Sequence, residues 1–193
     1  DGVRRYNPGP WDEDLLWLFG PHALNTPIVE EPRCDLKAAA GGCYTLRSVH
    51  GFAFIRCGGY QHRPSQADML HVDLWWRGQN IALDPGTYSY NAPAPWNNPF
   101  AHTRYHNTIT VDGLDCMERV SRFLWLPWTK GRLIAVQRSK SGYLAYWEGE
   151  QDSYKRLPDP VIHRRAVIQA AGDCWIVVDH LRGTTRHIYR LHW

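Results

Sequence analysis

Cys43-Tyr44-Thr45-Leu46-Arg47-Ser48 and Gly51-Phe52-Ala53-Phe54-Ile55-Arg56-Cys57 read with a period of two, and only Val49-His50 separates them, which is the spacing of a β-hairpin. The same period returns downstream in Leu70–Arg77, Asn80–Leu83, Asn107–Val111, Phe123–Trp128, Arg132–Ser139, Tyr143–Trp147, Val161–Gln169, Cys174–Val178 and Arg186–His192. Turn residues divide these runs: Arg77-Gly78, Asp112-Gly113, Lys130-Gly131, Gly172-Asp173 and Arg182-Gly183. Many short strands with no helical period among them predict an all-β chain, an antiparallel β-sandwich. Trp75, Trp76, Trp125 and Trp128 fall inside such runs, where alternation places one tryptophan of each pair inward and one outward.

Upstream of the hairpin the pattern differs. Pro10 and Trp11 precede Asp12, Glu13 and Asp14, then Leu15 to Phe19, and Gly20-Pro21 stops the run. Acidic residues suit a helix start because the dipole favours negative charge there, so a short N-terminal helix is predicted. From Leu24 to Ala40 periodicity is lost and the stretch reads as a linker, giving residues 1–40 as helix and linker and 41–193 as the sheet domain. The closing Leu191-His192-Trp193 reads as a strand in mid-course, as if the domain continued beyond it.

One long ordered loop interrupts the strands. Gly86 to His106 gathers Pro93, Pro95, Pro99, Asn97 and Asn98 around Tyr88, Tyr90 and Trp96 with no regular period, and long loops in a compact domain usually carry function.

Composition narrows the classes. Hydrophobic residues make up 44% and charged residues 21% of 193 residues, values of a globular domain large enough for one core. No apolar run approaches the ~20 residues of a membrane span. A net charge of +3, without clustered Lys or Arg, argues against a nucleic-acid partner. The basic residues are mostly arginines, whose planar guanidinium grips carboxylate or sulfate bidentately, and GC-rich coding would give the same bias. Cys34, Cys43, Cys57, Cys116 and Cys174 form no CxxC pair and are odd in number, which indicates neither a zinc ribbon nor a full disulfide framework. Cys43 and Cys57 sit in apolar runs and are read as buried thiols.

Three blocks carry a resemblance: Ala67-Asp68-Met69-Leu70-His71-Val72-Asp73-Leu74-Trp75-Trp76-Arg77-Gly78, Ala82-Leu83-Asp84-Pro85-Gly86-Thr87-Tyr88, and Tyr105-His106-Asn107-Thr108-Ile109-Thr110-Val111-Asp112-Gly113. With the later His163-Arg164-Arg165 and Trp175 to His180, their order and spacing resemble the heparinase II/III-like family from about Asp14 onward. The resemblance implies a supersandwich-like β domain of a polysaccharide lyase that cleaves uronic-acid polymers by β-elimination. It also implies a partner domain, an N-terminal helical toroid supplying a tyrosine and a histidine as base and acid. The Asp12–Phe19 helix would be the last remnant of that toroid, and the chain alone would be inactive.

Family members place a His-x-His pair before the Ala-Asp block, one histidine facing substrate and one binding a structural Zn2+. Here those positions are Pro64 and Gln66. The other two zinc ligands match Asp84 and His106, so the implied metal set is Asp84, His106 and Gln66, with only two strong ligands. Asp84 also suits a turn carboxylate that caps backbone amides, and His106 a histidine bonded at a strand start. His62 and His71 are candidates to stand in for the lost pair, although His71 alternates with Val72 and reads as a sheet-face residue. Arg63 and Arg104 are the candidates for grasping an acidic sugar, with solvated surface as the plainer reading. Tyr88, Tyr90 and Trp96 are the candidates for stacking on sugar rings, and Tyr88 joins Arg63 and Arg104 as a substrate contact.

The resulting expectation is a lyase domain acting on an acidic polysaccharide, whether glycosaminoglycan, alginate or bacterial exopolysaccharide, in a periplasmic or secreted protein. The alternative from another class is a non-catalytic glycan-binding or scaffold domain, which the Pro64 and Gln66 substitutions favour.

Overall fold

A computed structural model describes residues 4–29, 33–89 and 91–193. The chain divides into two compact units, Asp1–Cys34 and Asp35–Trp193. In the first, helix α1 spans Asp12–Phe19 as expected, with three acids in its first turn. Gly20 ends it with φ 78°, donating its N–H to the Leu16 carbonyl, and a 3-10 turn over Pro21–Asn25 follows. None of the helix residues is buried within the described chain.

The second unit is antiparallel β throughout. Strands β1 (Lys37–Ala38), β2 (Cys43–Arg47), β3 (Gly51–Arg56), β4 (Val72–Trp76) and β5 (Gln79–Ala82) form a five-stranded sheet in that order. Strand β1 pairs Lys37 with Tyr44 and Ala38 with Cys43, so the sheet begins inside the stretch read as linker. Two short pairs involve β6 (Ile109–Val111), β7 (Glu118–Ser121) and β8 (Leu124–Leu126): β7 pairs with β8, and β6 pairs with β13 (Tyr189–Leu191). A four-stranded sheet, ordered β12-β11-β10-β9, holds β9 (Gly131–Arg138), β10 (Ala145–Gln151), β11 (Ile162–Ala170) and β12 (Cys174–Arg182). At Arg77-Gly78 and Asp112-Gly113 both residues have positive φ, the turn geometry for which the sequence selects glycine.

The core lies between the two large sheets. Tyr44, Leu46, Ala53 and Ile55 from one meet Ala145, Trp147 and Val167 from the other, with the Tyr44 and Trp147 ring centroids 5.6 Å apart. Burial of a side chain such as Leu46 or Ile55 stabilises the sandwich by about 1.5–3 kcal/mol each. A bulge between Glu148 and Gly149 brings the β10 backbone against the core; a Cβ on Gly149 would lie 2.5 Å from the Trp147 ring.

The tryptophan alternation holds only in part. Trp125 is buried and Trp128 exposed, but neither Trp75 nor Trp76 enters the core. Trp75 stacks on Phe52, ring planes 4° apart, and Arg47 lies 4.9 Å over Phe52, so cross-strand stacking covers it instead. Cys57 is buried while Cys43 is only half-buried, and no disulfide joins the five cysteines. Burial raises the Cys57 thiol to about 12.

Candidate functional site

The alternation that made His71 a sheet-face residue breaks one position earlier. Leu70 adopts φ 61°, a left-handed conformation uncommon outside glycine, and the chain reverses there. His71 then donates its backbone N–H to the Asp68 carbonyl at 2.9 Å, and strand β4 begins only at Val72. The imidazole consequently turns inward and is buried. Asp84, just past β5, and His106, at the end of the long loop, come to the same place. Asp84 Oδ2 lies 2.8 Å from His106 Nδ1 and 3.5 Å from His71 Nε2, and the two imidazole rings meet edge to face at 5.7 Å. Asp84 Oδ1 accepts the Gly86 N–H at 2.7 Å, so the turn-capping role and the meeting with His106 belong to one side chain.

Hydrogen bonds fix the protons. The Asn107 N–H donates to His71 Nδ1 at 2.9 Å, which leaves the His71 proton on Nε2, facing Asp84. Burial lowers the His71 pKa to about 4, so the ring is neutral at pH 7. Burial would raise Asp84, but the His106 and Gly86 hydrogen bonds outweigh it and hold the carboxyl below its ordinary range. With Asp84 ionised, His106 carries its proton on Nδ1, and its Nε2 is left buried with no hydrogen-bond partner among the described residues. Gln66 arrives from the other side of the loop, donating from Nε2 to the Gly86 carbonyl and Thr87 Oγ1, both at 3.3 Å. Its Oε1 is buried without a partner.

One donor atom from each of His71, Asp84 and His106 lies within 4.8 Å of the others, a grouping compact enough for a small cation. The His71 tautomer opposes it. A ligating imidazole directs a lone pair at the metal and donates its other N–H outward. His71 does the reverse, with its Nδ1 taken by an amide N–H. The remaining donors are His106 Nε2, whose lone pair is free, Asp84, already bonded to the His106 proton, and the amide oxygen of Gln66: two strong ligands, short of the three or four of a structural zinc site. The group is a carboxylate hydrogen-bonded to one imidazole, His106, with the N–H of a second, His71, facing it at 3.5 Å.

A second polar group floors a hollow of about 340 Å³ lined by Arg56, Tyr60, His62, Arg63, Gln66 and Asp68. The Tyr60 hydroxyl donates to Asp68 at 2.9 Å, and Arg56 stands 3.8 Å from the same carboxylate. Burial raises Asp68 above the usual carboxylate range, against the opposing pull of His106 and Arg56. Arg63 lies at the rim with its guanidinium 5.3 Å from the Phe123 ring centroid, His62 is exposed outside the histidine–aspartate cluster, and Pro64 is buried.

The long loop contributes the aromatics. Tyr88 lies 5.8 Å from Trp96 and 6.0 Å from Phe100, and Phe100 lies 5.3 Å from Tyr105, forming a chain of rings whose Tyr88, Trp96 and Tyr105 members are exposed. Arg104 places its guanidinium 5.6 Å over Tyr105. Beside it a groove of about 610 Å³ is walled by Leu83, Pro85, Arg104, His106 and Trp193. Tyr90 lies outside the described residues. Arg104 thus flanks the buried cluster, whereas Arg63 lines the separate hollow that Gln66 joins to the Gly86 turn. Reading by alternation missed His71, and nothing in the sequence announced Tyr60, Asp68 or Phe100 as members of these groups.

Residues 30–193 match the family model described as Heparinase II/III-like, C-terminal. A heparin-sulfate lyase of Bacteroides stercoris is 28% identical over 133 residues, covering 66% of this chain and 17% of that protein. Among solved structures, a heparinase III is similar over 93% of this chain and 27% of its own, with a TM-score of 0.68 at 18% identity. The heparan sulfate lyase HepC of Pedobacter heparinus is similar over 91% and 26%, with a TM-score of 0.63 at 18% identity. These likenesses show the fold, and the chain spans about a quarter or less of each relative's length.

Proposed function

The chain belongs to the heparinase II/III-like family by its C-terminal domain, and from that premise we propose that it forms one wall of the substrate cleft of a polysaccharide lyase acting on uronic-acid polymers. The observation that carries this reading is the assembly of His71, Asp84 and His106 beneath the long loop, with Arg104 and the exposed rings of Tyr88 and Trp96 arrayed on it. Exposed aromatic faces suit the apolar faces of sugar rings, and a guanidinium suits a uronate or sulfate.

β-Elimination removes the proton at C5, forms the C4=C5 double bond from that electron pair, and expels the C4 oxygen, which leaves with a proton. The step needs the uronate carboxylate neutralised as charge develops on it, and Arg104 is the group we assign to that. Arg63 takes a neighbouring acidic group along the polymer. A base and an acid within hydrogen-bond reach of C5 and O4 come, on this reading, from another part of a longer, periplasmic or secreted protein, and the chain alone does not turn over.

The test follows the absorbance of the unsaturated product on heparin-type polymers, alginate and a native bacterial exopolysaccharide. Full-length protein is expected to cleave at least one of them and the 193-residue chain none. No cleavage of any acidic polymer by the full-length protein would defeat the lyase reading. Replacing Arg104 with Ala should weaken polymer binding about tenfold, the equivalent of about 1.4 kcal/mol.

The second reading, a glycan-binding domain without chemistry, is favoured by one observation: Pro64 is buried and the Gln66 amide is committed to the Gly86 turn, so neither supplies an imidazole. Retained polymer binding by full-length protein, with no product on any substrate, would select it.

A further inference from the structure

We infer that Arg165 is a positioning residue for the buried cluster, acting from the opposite sheet to set the tautomer and orientation of His71. Arg165 sits on β11 with no exposed surface. Two of its nitrogens bind Asp179 of β12, Nε to Oδ1 at 2.7 Å and Nη2 to Oδ2 at 2.9 Å. Its Nη1 does something else: it donates to the Leu70 carbonyl at 2.9 Å and to the Asn107 carbonyl.

Those two carbonyls flank the decisive contact. Leu70 is the left-handed residue that turns His71 inward, and a leucine keeps such a conformation only where its surroundings hold it. Asn107 is the residue whose N–H fixes the His71 proton on Nε2. One planar guanidinium therefore grips both backbones, which no single point-charge donor matches in geometry. The weave it closes includes Thr108 Oγ1 on the Met69 carbonyl at 3.0 Å and Asn107 Nδ2 on the Val72 carbonyl at 3.0 Å. The face of Trp193, 5.8 Å from the guanidinium carbon, completes the cage. The inference concerns geometry, so it holds whatever polymer the domain meets.

The experiment is imidazole nitrogen NMR on the chain, in Arg165→Lys and Arg165→Met. In the parent, His71 should show the Nε2–H tautomer and His106 the Nδ1–H tautomer. Arg165→Lys keeps a cation against Asp179 and should preserve the amide spectrum of β2 and β3, while His71 shifts to a mixture of tautomers. Adding Leu70→Gly, which accepts positive φ without strain, should restore the parent His71 signal to a measurable extent. A merely structural role predicts a lower melting temperature with both histidine signatures unchanged, and that result would overturn the inference. Where Arg165→Met fails to fold, Arg165→Lys and its Leu70→Gly rescue decide alone.

Discussion

His163 and His106 are both fully buried histidines paired with an aspartate, at 2.7 and 2.8 Å, and there the likeness stops. Around His163 nothing is left over: Gln151 Nε2 meets Nδ1 at 3.1 Å, the Nε2 proton goes to Asp179, and Ser153 donates to Gln151 Oε1. Around His106 three buried atoms lack a hydrogen-bond partner among the described residues: His106 Nε2, His71 Nε2 and Gln66 Oε1. Buried polar groups without partners cost free energy, and three gathered in one cluster make it a poor stabiliser beside its fully bonded counterpart. The first cluster holds the sheets, and the second is held open by them.

Breaking the closed cluster should be the costlier change. Asp179→Ala leaves the Arg165 guanidinium buried without its counter-ion and His163 without an acceptor. A loss of about 3–5 kcal/mol is expected in denaturant unfolding. The same group sets an acid limit. Burial would raise Asp179, but His163 and Arg165 bring it down to about 2, below its unfolded value of about 3.9. A depressed carboxylate stabilises the fold above the unfolded pKa, and this contribution should fade between about pH 4 and pH 2. Asp179→Asn should remove that limb of the acid-unfolding profile.

Breaking the open cluster should cost less. Asp84 is 30% exposed and holds no buried guanidinium, and Asp84→Ala is expected to lower stability by about 1–3 kcal/mol while abolishing the His106 Nδ1–H signal. Equal losses for Asp84→Ala and Asp179→Ala would erase the distinction between the two clusters.

A third histidine gives the surface counterpart. His187 lies between Asp112, 2.7 Å from Nδ1, and Asp159, 2.8 Å from Nε2, and those bonds raise its pKa. A raised histidine stabilises below its unfolded pKa of about 6.5 and loses that contribution as pH rises through the folded value. His187→Gln should flatten stability across that window, and an unchanged slope would remove His187 from the account. Smallest of all, a zinc chelator should leave the melting temperature unchanged, since the His71 tautomer offers no lone pair to a metal; a drop on chelation would overturn that placement of the His71 proton.

The strands were legible because their chemistry is local. Alternation and positive-φ turn residues such as Arg77-Gly78 and Gly172-Asp173 announced the strands of the two large sheets from β2 onward, although β10 and β12 each run four residues past the stretch read for them, and the acidic start of α1 announced that helix. Asp84 and His106 were legible as a pair through the family resemblance. His71 was named only as a stand-in for the lost pair and read by preference as a sheet-face residue, because a single left-handed leucine reverses what alternation implies and no residue type demands that conformation there. Strand β1 escaped as well, since two residues cannot display a period. The weave through Arg165 was illegible for a further reason: its bonds are made across distance in sequence.

That distance has a meaning for coupling. The Arg165 bond to Leu70 spans 95 residues and the one to Asn107 spans 58. Closing contacts so remote costs chain entropy that no local segment offsets by itself. A change that loosens β11 should therefore loosen Leu70 and Asn107 together, so that the binding wall inherits its firmness from a strand on the far sheet.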